Sequence, residues 1–165
     1  MKVFLSHSVS DEETAVELSK GLAKEGFDVW NPRIEVGAGG NFAEEIGRAL
    51  RTSDAMVILV SPAAMKSDWM QEEINYALTE PRFRNRVVPV ILRPSSQMPW
   101  ILNRFPTVKA GDNLAKTARE VARLLRIEST RLQPAWRHAG GGAQRKFFFL
   151  TPRAIAGLFI GSPGC

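Results

Sequence analysis

The sequence predicts a three-layer α/β domain built on a five-stranded parallel sheet and followed by a C-terminal tail. Over residues 1–128, short apolar segments alternate with amphipathic segments of helical period, the rhythm of strand–helix–strand units. One strand-like segment, Ala55 to Val60, is apolar along its length, as is typical of a central parallel strand covered on both faces. The alternation stops after residue 128. We therefore predict one domain over residues 1–128 and a basic, glycine-containing, disordered tail over 129–165.

The first half of the domain supplies two strands and two helices. Lys2 to Ser6 and Phe27 to Trp30 are short and apolar, and each predicts a strand. Between them, Ser10 and Glu13 have the Ser-x-x-Glu spacing of a capping box and predict the start of a helix. Gly26 follows its last turn, where glycine commonly ends a helix. A glycine-containing loop and a second helix, with Asn41 as its expected cap, complete this half.

The second half repeats the pattern after Ala55–Val60. Ser67 to Leu78 predicts a helix, because its apolar side chains recur at helical spacing. The remaining predicted elements are a strand at Arg86–Leu92, a short helix near Trp100–Arg104, a strand at Thr107–Val108 and a helix from Asn113. Pro89 cannot donate a ladder hydrogen bond, which indicates an end or irregular position in the sheet. Right-handed crossovers leave few topologies, and five strands in this rhythm predict the flavodoxin-like order 2-1-3-4-5.

The net charge of +5 does not indicate nucleic-acid binding. The tail from Ser129 to Cys165 carries five Lys or Arg residues and no Asp or Glu. Of the 22 basic residues, the 17 that remain are balanced by the 17 acidic residues. A neutral domain has no electrostatic footprint for nucleic acid.

Cysteine and histidine are scarce, which limits metal and disulfide chemistry. Cys165 is the single cysteine, and His7 and His138 are the two histidines. We therefore expect no disulfide framework and no metal site, and the composition fits a reducing cytoplasm. The sequence has neither an export signal nor an apolar run of membrane-spanning length, so a cytoplasmic protein without a membrane span is expected.

The predicted strand order places a candidate site between the first and third strands. Ligands of open parallel sheets bind beyond the carboxyl ends of the strands, where the strand order reverses. The loop Ser6-His7-Ser8 follows the first strand, and the helix after the third strand carries Trp69 and Glu73 one turn apart. The alternative is that Trp69 is packing and Glu73 is a charge at the rim of the fold. His7 could be a general base, but without a partnered nucleophile we interpret it as a polar loop residue.

Other nucleotide and catalytic motifs fit poorly. The glycines at Gly37 to Gly40 follow the second strand, lack the spacing of a dinucleotide fingerprint and have no P-loop lysine. The sequence has no serine nucleophile elbow and no zinc-protease motif. A receiver-like fold is disfavoured, because the first strand ends in Ser6-His7 and not in an acidic pair that could bind Mg²⁺.

Several segments, in order, resemble a known family. Residues 1 to about 126 look like a TIR (Toll/interleukin-1 receptor homology) domain of the bacterial type. The segments that carry the resemblance are Val3 to Ser8, Gly26 to Trp30, Phe42 after a glycine loop, Val57 to Pro62 and Trp69-x-x-x-Glu73-Ile74. One departure is Asn31-Pro32 after the second strand, where members of the family often have an acidic residue.

The resemblance implies two kinds of function. Many TIR domains cleave NAD at the nicotinamide–ribose bond and release ADP-ribose or a cyclised form, in signalling such as anti-phage defence or host manipulation. Others are non-catalytic modules that self-associate or pair with other TIR domains. The family pattern maps the catalytic glutamate onto Glu73. It maps substrate contacts onto Ser6, His7, Ser8, Phe42 and Trp69, with NAD as substrate and no separate cofactor.

A single carboxylate suits this reaction. The nicotinamide of NAD is a cationic ring that leaves as a neutral molecule, so no general acid has to protonate it. Ordinary glycosidases need two carboxylates because an alkoxide leaves. What remains is to stabilise positive charge on the ribose, which one placed carboxylate can do.

Overall fold

The structure, a computed structural model, describes residues 1–32 and 42–131, with side chains described for 1–32 and 43–127. Strand and helix alternate along this part of the chain. The strands are β1 (Lys2–Ser6), β2 (Asp28–Trp30), β3 (Ala55–Val60), β4 (Val87–Ile91) and β5 (Val108–Lys109). The α-helices are α1 (Glu12–Lys24), α2 (Phe42–Thr52), α3 (Pro62–Met65), α4 (Asp68–Thr79) and α5 (Leu114–Arg131). Short 3₁₀ turns occur at Val9–Asp11, Pro81–Phe83 and Trp100–Arg104.

The five strands form one parallel sheet in the order β2-β1-β3-β4-β5, which confirms the predicted topology. β1 lies between β2 and β3, with Val3 opposite both Val29 and Ala55. Because consecutive strands β2 and β3 lie on opposite sides of β1, the order reverses there. That reversal opens the carboxyl edge of the sheet beside Ser6, the last residue of β1.

Two apolar cores, one on each face of the sheet, make the domain three layers thick. Side chains of β1 alternate between them: Val3 and Leu5 pack with α1 and α5, whereas Phe4 packs with α2, α3 and α4. All six residues of β3 are buried, as predicted for a central strand. In α4, the apolar stripe contributes Met70, Ile74, Ala77 and the half-buried Leu78 to the second core.

Helix α1 ends as predicted but does not begin as predicted. Gly26 has φ +87°, a conformation that favours glycine and reverses the chain into β2. The capping box at Ser10 is wrong: α1 begins at Glu12 after a 3₁₀ turn, and Ser10 Oγ contacts Ser8 Oγ at 3.0 Å. Further along α1, a Cβ added to Gly21 would lie 2.7 Å from Ala118 Cβ, so this glycine permits the close packing of α1 on α5.

The proline in β4 occupies the irregular position that the sequence indicates. Pro89 pairs with Ile58 of β3 on one side. On the other side, β5 pairs only with Val90 and Ile91. β4 is therefore an edge strand at the proline, where a missing N–H costs no ladder hydrogen bond.

The last helix begins at the predicted cap, since Asn113 Oδ1 accepts a hydrogen bond from the Lys116 N–H at 3.0 Å. It extends to Arg131, and the rest of the predicted tail lies outside the described residues. Within residues 1–32 and 42–131, no helix combines the length and hydrophobicity that crossing a bilayer requires.

Candidate functional site

The side chains of Ser6 and Glu73 meet where the strand order reverses. Ser6 ends β1 and is fully buried, and its Oγ donates a hydrogen bond to Glu73 Oε2 at 2.5 Å. Glu73 lies in the middle of α4, which follows β3 through the short helix α3. Ser6 shares the face of β1 that carries Phe4, whose ring stacks on Trp30 at 4.9 Å. The packing of this face helps to place the hydroxyl of Ser6.

Glu73 is buried, with only 5 % of its surface exposed. Burial disfavours the charged form and raises the pKa of Glu73 from 4.5 to about 7, against the opposing effect of hydrogen bonds from Ser6 and Trp69. The alternative interpretation of Glu73, as a charge at the rim of the fold, is therefore wrong. The neighbouring residue in α4, Glu72, is exposed.

Trp69 contacts the same carboxylate from within α4. Its indole N–H donates to Glu73, one turn further along the helix. The side chain is 43 % exposed, which leaves a flat aromatic surface open beside the buried carboxylate. The helix begins just before, at Ser67, whose Oγ accepts a hydrogen bond from the Met70 N–H. Trp69 is therefore both a hydrogen-bond donor and a partly open aromatic surface.

His7 is held by polar contacts on both ring nitrogens. Nδ1 lies 2.9 Å from the carbonyl oxygen of Ser8, and Nε2 lies 3.0 Å from Oδ1 of Asn31. Asn31 is fully buried, and its Nδ2 donates to Ser19 Oγ at 3.4 Å. The residue at which the sequence departs from the family pattern thus anchors the loop after β1 to the end of β2.

Ser8 points into a different cluster from Ser6. Its Oγ donates to Asp11 Oδ2 at 2.5 Å. The same oxygen of Asp11 accepts from Ser61 Oγ at 2.5 Å, and Arg93 Nη2 lies 2.7 Å from the other oxygen, Oδ1. Sequence reasoning missed the role of Asp11. The available signal was its position three residues after Ser8, in a loop that already contained site candidates.

The structure thus joins three of the predicted site residues, Ser6, Trp69 and Glu73, through hydrogen bonds to one carboxylate. His7 and Ser8 lie in the loop that follows Ser6 but contact other partners. The side chain of Phe42 and the glycines at 37–40 lie outside the described residues. The assigned roles in substrate binding stay predictions.

The cluster is suited to electrostatic chemistry. A carboxylate in a poorly solvated site interacts with a nearby positive charge more strongly than it would in water. Among the residues whose side chains are described, no group of three or more His, Cys, Asp or Glu is placed to hold a metal ion. Charge stabilisation by Glu73 is the chemistry that these contacts offer.

A family model described as "TIR domain" matches residues 3–125 of the chain. The sequence is also similar to the 2' cyclic ADP-D-ribose synthase BtTIR of Bacteroides thetaiotaomicron, with 29% identity over 73 residues. That match covers 44% of this chain and only 25% of the relative, so the compared segment is about a quarter of the relative's length.

Solved structures share the fold. The TIR domain of the Toll-related receptor TRR-2 from Hydra magnipapillata superimposes with a TM-score of 0.60 at 22% identity, over 78% of this chain and 97% of that one. A metazoan TIR-STING receptor from C. gigas gives a TM-score of 0.64 at 19% identity, over 74% of this chain and 38% of that one. At these identities the similarity concerns the fold alone.

Proposed function

We propose that this chain, which belongs to the TIR domain family, cleaves NAD between nicotinamide and ribose with Glu73 as its catalytic carboxylate. The observation that carries the proposal is the buried Glu73, bonded to Ser6 at the point where the sheet's strand order reverses. The similarity to a 2' cyclic ADP-D-ribose synthase supports the same class of substrate. Nicotinamide leaves, and the anomeric carbon forms a new bond to water, which loses a proton to give linear ADP-ribose, or to a hydroxyl of the same molecule, which loses its proton to give a cyclised form.

The leaving group explains why one carboxylate is enough. The nicotinamide ring of NAD is positively charged and departs as a neutral molecule when its bond to the ribose breaks. The bonding electrons leave with the nicotinamide, and positive charge develops on the ribose. An ionised Glu73 stabilises that charge, and its effect is large because the site is preorganised and poorly solvated.

Ser6 and Trp69 prepare Glu73 for this role. Their hydrogen bonds favour the ionised carboxylate, and without them burial would raise its pKa further. With a pKa of about 7, part of Glu73 is ionised at neutral pH and most of it at pH 8. The open face of Trp69 offers a flat surface for the nicotinamide or adenine ring.

Release of nicotinamide from NAD tests the proposal. The purified full chain is incubated with NAD at high protein concentration, at pH 8, and the products are separated by chromatography and identified by mass spectrometry. We expect nicotinamide together with an equal amount of linear or cyclised ADP-ribose. If no nicotinamide appears at any protein concentration, or on a surface that crowds the protein, the enzymatic proposal fails.

A second candidate function is self-association as a non-catalytic signalling module. Val9 and Trp100 are exposed at 72% and 71%, and they are apolar side chains that contact with another protein could cover. Association between copies or with another TIR domain would bury one or both of these side chains. Sedimentation of the full chain, with Trp100→Ala as the comparison, tests self-association, and the nicotinamide assay shows whether the associated chain is catalytic.

A further inference from the structure

The carboxylate of Asp11 joins three segments that are distant in sequence. It is 3 % exposed and lies at the carboxyl edge of the sheet. Oδ2 accepts from the hydroxyls of Ser8, in the loop after β1, and Ser61, at the end of β3. Oδ1 accepts from the guanidinium of Arg93, just after β4. A buried carboxylate is costly unless its lone pairs are used, and here three donors use them.

Two of these contacts lead directly to the Ser6–Glu73 pair. Ser8 is two residues after Ser6, in the loop that leaves β1. Ser61 is the N-cap of α3, where its Oγ also accepts from the Ala64 N–H at 3.1 Å. Helix α3 is in turn bonded to α4, because Gln71 Nε2 donates to the carbonyl oxygen of Met65 at 3.1 Å. Asp11 is thus connected to both partners of the hydrogen bond at the site.

We propose that Asp11 is a positioning residue that holds the loop directly after Ser6 against the α3–α4 unit bearing Glu73. The inference rests on the proposed function of Glu73. Asp11 contacts neither Ser6 nor Glu73 in the described hydrogen bonds and acts through Ser8 and Ser61. Arg93 holds the Asp11 carboxylate less firmly than the two serines do, since its side chain is 61% exposed and its ion pair is screened by solvent.

Asp11→Asn is the informative variant, because an amide has one acceptor oxygen where the carboxylate has two. With its NH₂ group toward Arg93 the amide faces a donor, and with its NH₂ group toward Ser8 and Ser61 those hydroxyls must accept instead of donate. In either orientation the charge-assisted bonds to a carboxylate are lost. We expect the loop after β1 to shift and the Ser6–Glu73 hydrogen bond to weaken. A displacement of about 1 Å between Ser6 and Glu73 would lower kcat by roughly 10- to 100-fold. KM should change little, since Asp11 is buried and its hydrogen bonds go to Ser8, Ser61 and Arg93.

The decisive readout is the titration of Glu73 by carbon-13 NMR in the full chain, which requires no turnover. The Ser6 hydrogen bond lowers the pKa of Glu73, so its loss in Ser6→Ala should raise that pKa. Asp11→Asn should raise it in the same direction. The double variant should add little to Ser6→Ala, because both changes remove the same bond. Arg126→Gln breaks a comparably exposed ion pair with Glu25 elsewhere and should leave the titration unchanged.

An unchanged Glu73 titration in a folded Asp11→Asn protein overturns the inference, as does a shift that adds fully to that of Ser6→Ala. If Asp11→Asn does not fold, Ser8→Ala replaces it, because it removes a hydrogen bond to Asp11 without changing any charge. A smaller upward shift then supports the inference and no shift overturns it. If the wild-type chain releases no nicotinamide, the proposed function fails while the titration still tests the positioning role of Asp11.

Discussion

Replacing Glu73 by Gln should change how the stability of the domain depends on pH. The pKa of Glu73 is raised from 4.5 to about 7 in the folded protein, so the folded state holds its proton more tightly than the unfolded state. Stability is therefore lost as pH rises from about 4.5 to 7. At 1.36 kcal/mol per pKa unit, the ionised carboxylate destabilises the fold by about 3 kcal/mol at pH 8 and by about 1 kcal/mol at pH 5.

Urea denaturation at pH 5, 6, 7 and 8 measures this effect. Glu73→Gln removes the titrating group, so its free energy of unfolding relative to wild type should rise by about 2 to 3 kcal/mol between pH 5 and pH 8. Comparing the change across pH cancels any pH-independent repacking around the amide. Glu72→Gln alters an exposed neighbour and should show no such trend. A difference between Glu73→Gln and wild type that stays constant from pH 5 to 8 would refute the assigned burial of the charge.

Three further predictions concern turnover. Nicotinamide release should rise from pH 6 to 8 as Glu73 ionises, with an apparent pKa near 7, and a flat pH profile would argue against an ionised Glu73. Trp69→Phe keeps an aromatic ring but removes the N–H donor, so kcat should fall while KM is nearly unchanged. A large rise in KM with kcat preserved would contradict that division of roles. If copies associate through the exposed side chains of Val9 or Trp100 and the associated form favours the active conformation, turnover per molecule should increase with protein concentration. Constant specific activity over a wide dilution series would count against such association.

Local pattern was sufficient to predict most of the fold. The apolar run of β3 identified a strand buried on both faces, and the strand order followed from parallel pairing with right-handed crossovers. The proline in β4 predicted an irregularity that the two-residue length of β5 explains. These features depend on neighbouring residues and on general rules of chain connection, so a single sequence can reveal them.

The site was predictable in part. The spacing of Trp69 and Glu73 on one helix gave their proximity, and topology placed the loop of Ser6 nearby. The burial of the Glu73 side chain was not predictable, because it depends on how closely α4 packs over the end of β1. The network around Asp11 joins residues up to 82 positions apart, and the capping box at Ser10 suggested a different helix start. A local sequence pattern cannot show that Asp11 forms hydrogen bonds with residues so far away in the chain.

Turnover of Glu73→Gln, compared with Glu72→Gln and wild type, tests the central claim most directly. One electrostatic contact in a transition state is commonly worth roughly 10²–10³ in rate, so Glu73→Gln should lose at least that factor in nicotinamide release. Its affinity for NAD, measured by calorimetry, should weaken far less, because the charge on the ribose develops only during the reaction. Glu72→Gln should match wild type in both measurements. If Glu73→Gln retains wild-type turnover in an active preparation, the carboxylate mechanism is contradicted.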